Sequence, residues 1–311
     1  MSQHFDGYGY LAAEGYAEDL LTELSRDFPA EQLIRYGDLI LRPGERVSAY
    51  WARTVIEHPC YFHIDSIGDG VRILKGMQRN WALYPFACYR RSALISEKLP
   101  FINLKPKEFL TSLEKPLPQT PMGLWTLLDE QTMLAAPVTS SPLPLGELLL
   151  VEDHENPPSR AYLKLQEALL RCGQLPQKGS RCLDAGASPG GWTWVLRQLG
   201  AEVTAIDRAE LSPQLMADPM VHFIKHDAFT LQPEELGQFD WVCSDVISYP
   251  PRLLEWVHKW LDSGLCRNMI CTIKMQGEPD WETIERFAAI PGGKVLHLRY
   301  NKHELTWIYV V

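Results

Sequence analysis

From residue 181 to the end of the chain, short apolar runs alternate with stretches whose apolar positions recur at helical spacing. Cys182-Leu183 runs up to Asp184, a loop of small residues follows, and Trp192, Trp194, Val195, Leu196 and Leu199 then mark a helix. Further strands are predicted at Glu202 to Ile206 closing on Asp207, Val221 to Lys225 ending near Asp227, Phe239 to Cys243 ending at Asp245, and Met269 to Ile273 ending at Lys274. A helix from Pro251 to Leu261 stops at Gly264, another spans Asp280 to Ile290, and Lys294 to Tyr300 and Glu304 to Val311 read as two last strands. Upstream, Ser159 is an N-cap residue for a helix marked by Ala161, Leu165, Ala168 and Leu169. Such alternation predicts an α/β fold with a doubly wound, mostly parallel sheet. Ligands bind these sheets at the carboxyl ends of the strands, where Asp184, Asp207, Asp227, Asp245 and Lys274 fall.

The first half is patterned differently. Residues 8 to 13 read as a short strand, Tyr16, Leu20, Leu21 and Leu24 mark a helix within residues 14–28, and residues 33–41 read as extended up to Pro43-Gly44. This predicts a smaller α+β module. Residues 105–150 contain Pro106, Pro116, Pro118, Pro121, Pro137, Pro142 and Pro144, the composition of a connector with little regular structure. A boundary between residues 141 and 147 divides the chain into an N-terminal domain, 1–145, and a C-terminal domain, 146–311, each long enough to bury its own core.

Charge changes this picture in one place. The chain carries a net charge of -9, which argues against nucleic-acid binding driven by bulk charge. Against that balance, residues 72–107 hold Arg72, Lys75, Arg79, Arg90, Arg91, Lys98, Lys105 and Lys107 with Glu97 as their one acid, and Trp81, Tyr84, Phe86, Tyr89 and Phe101 interspersed. Cations that hold phosphates beside rings that stack on bases suit single-stranded or looped RNA, with Arg79, Arg90, Arg91, Lys105 and Lys107 as candidate contacts. The bland alternative is a solvated face over an aromatic core. The seven cysteines show no zinc spacing and suit a reducing, cytoplasmic setting. Neither a signal peptide nor an apolar run long enough to span a membrane is read in the sequence, so no membrane partner is expected, and with no Cys-x-x-Cys pair or His cluster no metal is expected.

The loop after Leu183 reads Asp184-Ala-Gly-Ala-Ser-Pro-Gly-Gly-Trp192. Ser188 stands where a dinucleotide fingerprint needs its second glycine, so a pyrophosphate is disfavoured. S-adenosylmethionine carries an ammonium, a carboxylate and a ribose but no pyrophosphate. Asp184 suits the ammonium and Asp207 the ribose hydroxyls. Gly186, Ser188, Pro189, Gly190 and Gly191 complete a tight turn in which backbone would meet ligand, while Trp192 either packs the helix or touches the cofactor. The alternative is a merely structural turn.

Together with Ser159-Arg-Ala-Tyr-Leu-Lys164-Leu, Ser244-Asp245, Ile273-Lys274 and Glu304, this loop resembles the FtsJ-type ribose 2′-O-methyltransferases in order and spacing over residues 157–311. The resemblance implies a Rossmann-like class I methyltransferase domain, S-adenosylmethionine as cofactor, and a catalytic tetrad of Lys164, Asp245, Lys274 and Glu304. It further implies contact between Asp227 and the adenine, where a helix N-cap is the local alternative. Within the family the chain is most similar to bacterial large-subunit ribosomal RNA (cytidine 2′-O) methyltransferases, which carry an RNA-binding THUMP module ahead of this domain. The middle of this chain is shorter, so a reduced module is expected. Lys274 would serve as general base if burial and Lys164 lower its pKa, with Asp245 and Glu304 orienting it. Two other readings stay open: a noncatalytic RNA-binding or ribosome assembly factor that retains the pocket, and a methyltransferase for a small molecule or protein.

Overall fold

The computed structural model describes residues 2–113 and 117–311; Pro116 of the proline-rich stretch lies outside them. Two compact units result: residues 2–107 with 117–149, and residues 108–113 with 150–311. All seven cysteines are unpaired, and no helix among the described residues is long and apolar enough to cross a membrane.

The first unit contains two five-stranded sheets. One runs Ser2–His4, Cys60–His63, Thr132–Ala136, Gly123–Leu127, Trp81–Leu83, and the other Val138–Thr139, Ala52–Glu57, Gly7–Ala12, Leu39–Pro43, Ile34–Tyr36. The predicted opening strand and helix appear as Gly7–Ala12 and Ala17–Leu24. The predicted extended stretch is an antiparallel hairpin instead, Ile34–Tyr36 paired with Leu39–Pro43. The connector expectation fails for residues 123–139. Gly123–Leu127 is wholly buried and pairs antiparallel with Thr132–Ala136, placing Trp125, Leu127, Met133 and Ala135 in one core and Leu124, Leu134 and Ala136 in the other. Prolines bracket this hairpin without entering it, so composition over the whole stretch hid a strand pair.

In the second unit seven strands form one sheet. They are β1 (Arg181–Ala185), β2 (Glu202–Asp207), β3 (Val221–Lys225), β4 (Phe239–Ser244), β5 (Cys266–Lys274), β6 (Gly293–Leu296) and β7 (Glu304–Tyr309). Their order is β3-β2-β1-β4-β5-β7-β6, with β1 to β5 parallel and β7 antiparallel to both neighbours. This is the predicted doubly wound α/β sheet. The longer helices are α1 (Tyr162–Cys172), α2 (Gly191–Gln198), α3 (Pro250–Ser263) and α4 (Trp281–Ala288). α3 ends where Gly264 takes φ +66°, a left-handed cap that glycine adopts at low cost. Val242, Cys243, Met269, Ile270, Cys271 and Ile273 are buried, as strands covered on both faces require. Strand order reverses between β1 and β4, which opens the crevice where such sheets bind ligands.

Candidate active site

Four elements of the second unit bring the four tetrad positions together. Lys164 lies in the first turn of α1, a helix buried from Tyr162 to Leu170. Asp245 follows the last residue of β4, while Lys274 ends β5 and stands in direct antiparallel register with Glu304, the first residue of β7. The Lys164 ammonium donates to Asp245 Oδ1 and Oδ2 at 2.7 and 2.6 Å and to Glu304 Oε1 at 3.0 Å. Lys274 donates to Asp245 Oδ1 at 2.6 Å and Glu304 Oε2 at 2.7 Å. Two ammoniums and two carboxylates therefore alternate in a closed ring. Side-chain exposure runs only from 7% to 15% around it, so Coulomb interactions are screened far less than on the surface.

That ring corrects the expectation of a lowered lysine pKa. Burial pushes the Lys274 amine down, but Asp245 and Glu304 together outweigh it and hold the amine above its ordinary value. Burial likewise pushes Glu304 up, and the two lysines outweigh it and hold the carboxyl below its usual range.

A cleft of about 450 Å³ opens beside the ring, lined by Lys164, Lys274 and Glu304 and by Arg160, Arg299, Tyr300, Asn301 and Lys302. Residues 299–302 were missed as site residues because they read as the end of a strand; β6 stops at Leu296 and a loop follows. The loop is pinned at both ends. The Tyr300 N–H donates to Glu167 Oε2 at 3.3 Å, and Asn301 Nδ2 donates to the Glu304 carbonyl at 3.1 Å and Thr306 Oγ1 at 3.0 Å. The signal for the cleft was the density of cations in Arg299-Tyr-Asn-Lys302 and at Arg160.

At the neighbouring strand end, Asp184 is 1% exposed. Its Oδ2 accepts from Thr193 Oγ1 at 2.6 Å, while its Oδ1 is buried with no partner among the described residues. Burial pushes this carboxyl up to about 7, aided by the charges of Asp245 and Asp207 and opposed by the Thr193 hydrogen bond. An orphaned carboxylate oxygen in a buried site calls for a donor, and a ligand ammonium or its hydration water would meet that need.

The glycines of the loop are also close to other parts of the protein. A Cβ at Gly186 would fall 2.2 Å from Val246 Cγ2, one at Gly190 2.2 Å from Leu215 Cδ1, and one at Gly191 2.5 Å from Ser159 Oγ. Close approach of protein to protein, with φ of +79° at Gly186 and +113° at Gly190, already demands glycine at these turns. Pro189 follows Ser188 through a cis peptide, and the Ser188 hydroxyl donates to the Glu210 carbonyl at 2.9 Å. Trp192 is 3% exposed and donates its indole N–H to the Ala161 carbonyl. Asp207 accepts from the Ser188 and Ala209 N–H groups, which leaves acceptor capacity for hydroxyls. Asp227 accepts from the Phe229 N–H and pairs with Arg208 at 2.5 Å and Arg252 at 3.2 Å. Burial raises its pKa, but these donors outweigh it and hold the carboxyl below its usual range.

In the first unit, Arg79, Arg90 and Lys105 are exposed, and Arg91 and Lys107 are half-buried. Trp81 and Tyr84 belong to the cores, so they offer no stacking face, whereas Tyr89 and Phe101 are 66% and 85% exposed. No group of three or more His, Cys, Asp or Glu side chains able to hold a metal occurs among the described residues.

Comparison with known proteins agrees with this geometry. A protein named ribosomal RNA large subunit methyltransferase M from Azoarcus sp. (strain BH72) is 36% identical over 152 residues, covering 47% of this chain and 41% of that protein. Its namesake from Halorhodospira halophila is 39% identical over 134 residues, covering 42% and 39%. A third, from Xanthomonas axonopodis pv. citri, is 34% identical over 180 residues, covering 54% and 50%. The chain thus spans half or less of the length of these relatives. A model of the FtsJ-like methyltransferase family matches residues 157–275, which takes in Lys164, the Asp184 loop, Asp245 and Lys274.

Proposed function

We propose that the protein transfers a methyl group from S-adenosylmethionine to a ribose 2′-hydroxyl of RNA, with large-subunit ribosomal RNA as the substrate and the cytoplasm as its setting. The observation that carries this reading is the ring of Lys164, Asp245, Lys274 and Glu304 at the carboxyl edge of the sheet. The buried Asp184, with one carboxylate oxygen lacking a donor, lies on β1, the strand next to the one that ends before Asp245, to which both lysines donate. Bound along the β1 and β2 ends, S-adenosylmethionine supplies an electrophilic methyl group.

The chain's own residues then have three tasks. Asp184 meets the cofactor ammonium, Asp207 takes ribose hydroxyls, and Asp227 with its two arginines borders the adenine. Lys164 holds Asp245 and Glu304 in place and presents positive charge to the incoming ribose and phosphate. Lys274 removes the 2′-hydroxyl proton from the fraction of molecules in which its amine is neutral, a fraction that Asp245 and Glu304 keep small in the free protein. Substrate that competes for Asp245 loosens this hold. The first unit contributes to RNA binding through exposed Arg79, Arg90 and Lys105 with Tyr89 and Phe101; Arg91 and Lys107 act from half-buried positions.

The test incubates the protein with labelled S-adenosylmethionine and total RNA from cells lacking it, followed by digestion to nucleosides. Label in a 2′-O-methylnucleoside supports the reading. Label in a base or in protein overturns it.

A further inference from the structure

The loop that joins β4 to α3 carries an alternation the tetrad does not explain. After Asp245, Val246 packs against Gly186, Ser248 is 7% exposed and Pro250 is buried, whereas Ile247 and Tyr249 are 82% and 66% exposed. In extended backbone, residues two apart project to the same side. Tyr249 has extended dihedrals, φ -66° and ψ 139°, and with Val246, Ser248 and Pro250 turned inward, Ile247 and Tyr249 are the two residues of this loop that face outward. Tyr249 is also the only exposed Phe, Tyr or Trp among the described residues of the second unit. Its Cα lies within about 14 Å of that of Asp245, because four residues of chain reach no further.

The geometry points to Ile247 and Tyr249 as the seat of the base of the acceptor nucleotide. This inference rests on the proposed function. A ribose offered edge-on to the tetrad must leave its helical stack, and its base then needs an apolar surface within one nucleotide of the reacting oxygen. An exposed aromatic ring with an exposed aliphatic side chain two residues away meets that need without reading hydrogen bonds. The two residues are positioning residues: they fix the ribose by holding what is attached to it.

The test compares the full-length protein with Ile247→Ala, Tyr249→Ala and Tyr249→Phe, measuring KM and kcat on RNA from cells lacking the protein. It also measures equilibrium binding of a short mixed-sequence single-stranded RNA and of S-adenosylmethionine. Tyr249→Ala is expected to raise KM and weaken RNA binding roughly 10-fold, in line with the loss of one stacked base. Tyr249→Phe should restore both, with cofactor binding unchanged throughout. Unaltered KM and RNA binding in Tyr249→Ala would overturn the inference and leave the two residues to a protein partner. Wild type that binds RNA through Tyr249 but yields no 2′-O-methylnucleoside would instead sink the proposed function while the RNA contact stands.

Discussion

Lys274 and Glu304 face each other across the antiparallel β5–β7 pair, Nζ 2.7 Å from Oε2, and Asp245 and Lys164 close the ring around them. Backbone register, rather than a flexible loop, therefore sets half of the ring's geometry. Each charge in the ring has partners of opposite sign on two other elements, so removing one leaves the others imperfectly paired in a water-poor setting.

Glu304→Gln should accordingly destabilise the protein by about 3 kcal/mol at neutral pH, the scale of a broken buried pair. Because the folded Glu304 carboxyl titrates below its ordinary value of 4.5, its contribution is present above that pH and is lost as pH falls through the folded pKa. Denaturation midpoints of wild type and variant should converge in acid. A constant gap down to the lowest measurable pH would contradict the assignment.

Asp184 has the opposite sign. Its carboxyl is raised from 3.8 to about 7, so the folded state holds a proton that the unfolded chain releases, and stability falls as pH rises across that window. Asp184→Asn should remove this dependence and stabilise the ligand-free protein at pH 8 by roughly 2–4 kcal/mol. The same variant should bind S-adenosylmethionine more weakly. Wild-type affinity should rise with pH up to about 7, since the cofactor ammonium needs the ionised carboxylate. Paired urea melts and calorimetric titrations at several pH values check both outcomes.

The raised Lys274 pKa sets a pH profile for turnover. If its neutral amine takes the hydroxyl proton, kcat should climb with pH, approaching tenfold per unit across the range from 7 to 9. A flat profile under saturating RNA and cofactor would remove the proton-accepting role and leave Lys274 as a fixed positive charge.

Arg90→Ala and Lys105→Ala should weaken RNA binding uniformly across sequences and lower the slope of log affinity against log salt by about 1 for each phosphate that is no longer neutralised. Both side chains are exposed, so folding should be untouched. Unchanged binding and slope would assign residues 72–107 to a solvated face.

Much of the second unit was legible because its chemistry sits at strand ends. Asp184, Asp207, Asp245 and Lys274 each close an apolar run, and strand termini are where backbone geometry and sequence pattern coincide. Three features were not legible. The hairpin of residues 123–136 hides between prolines, because composition averages over strands and their flanks. That Val246, Leu215 and Ser159 press against the glycines is a matter of tertiary proximity, which the loop's own sequence does not encode. The state of Lys274 depends on whether two carboxylates outweigh burial, a contest of distances that spacing along the chain does not encode.

The most direct test of the central claim compares wild type with Lys274→Ala on RNA from cells lacking the protein, reading labelled nucleosides and cofactor binding side by side. The account predicts a labelled 2′-O-methylnucleoside from wild type, its loss by at least about 100-fold in Lys274→Ala, and retained S-adenosylmethionine binding by the variant. Near-normal 2′-O-methylation by Lys274→Ala would contradict it.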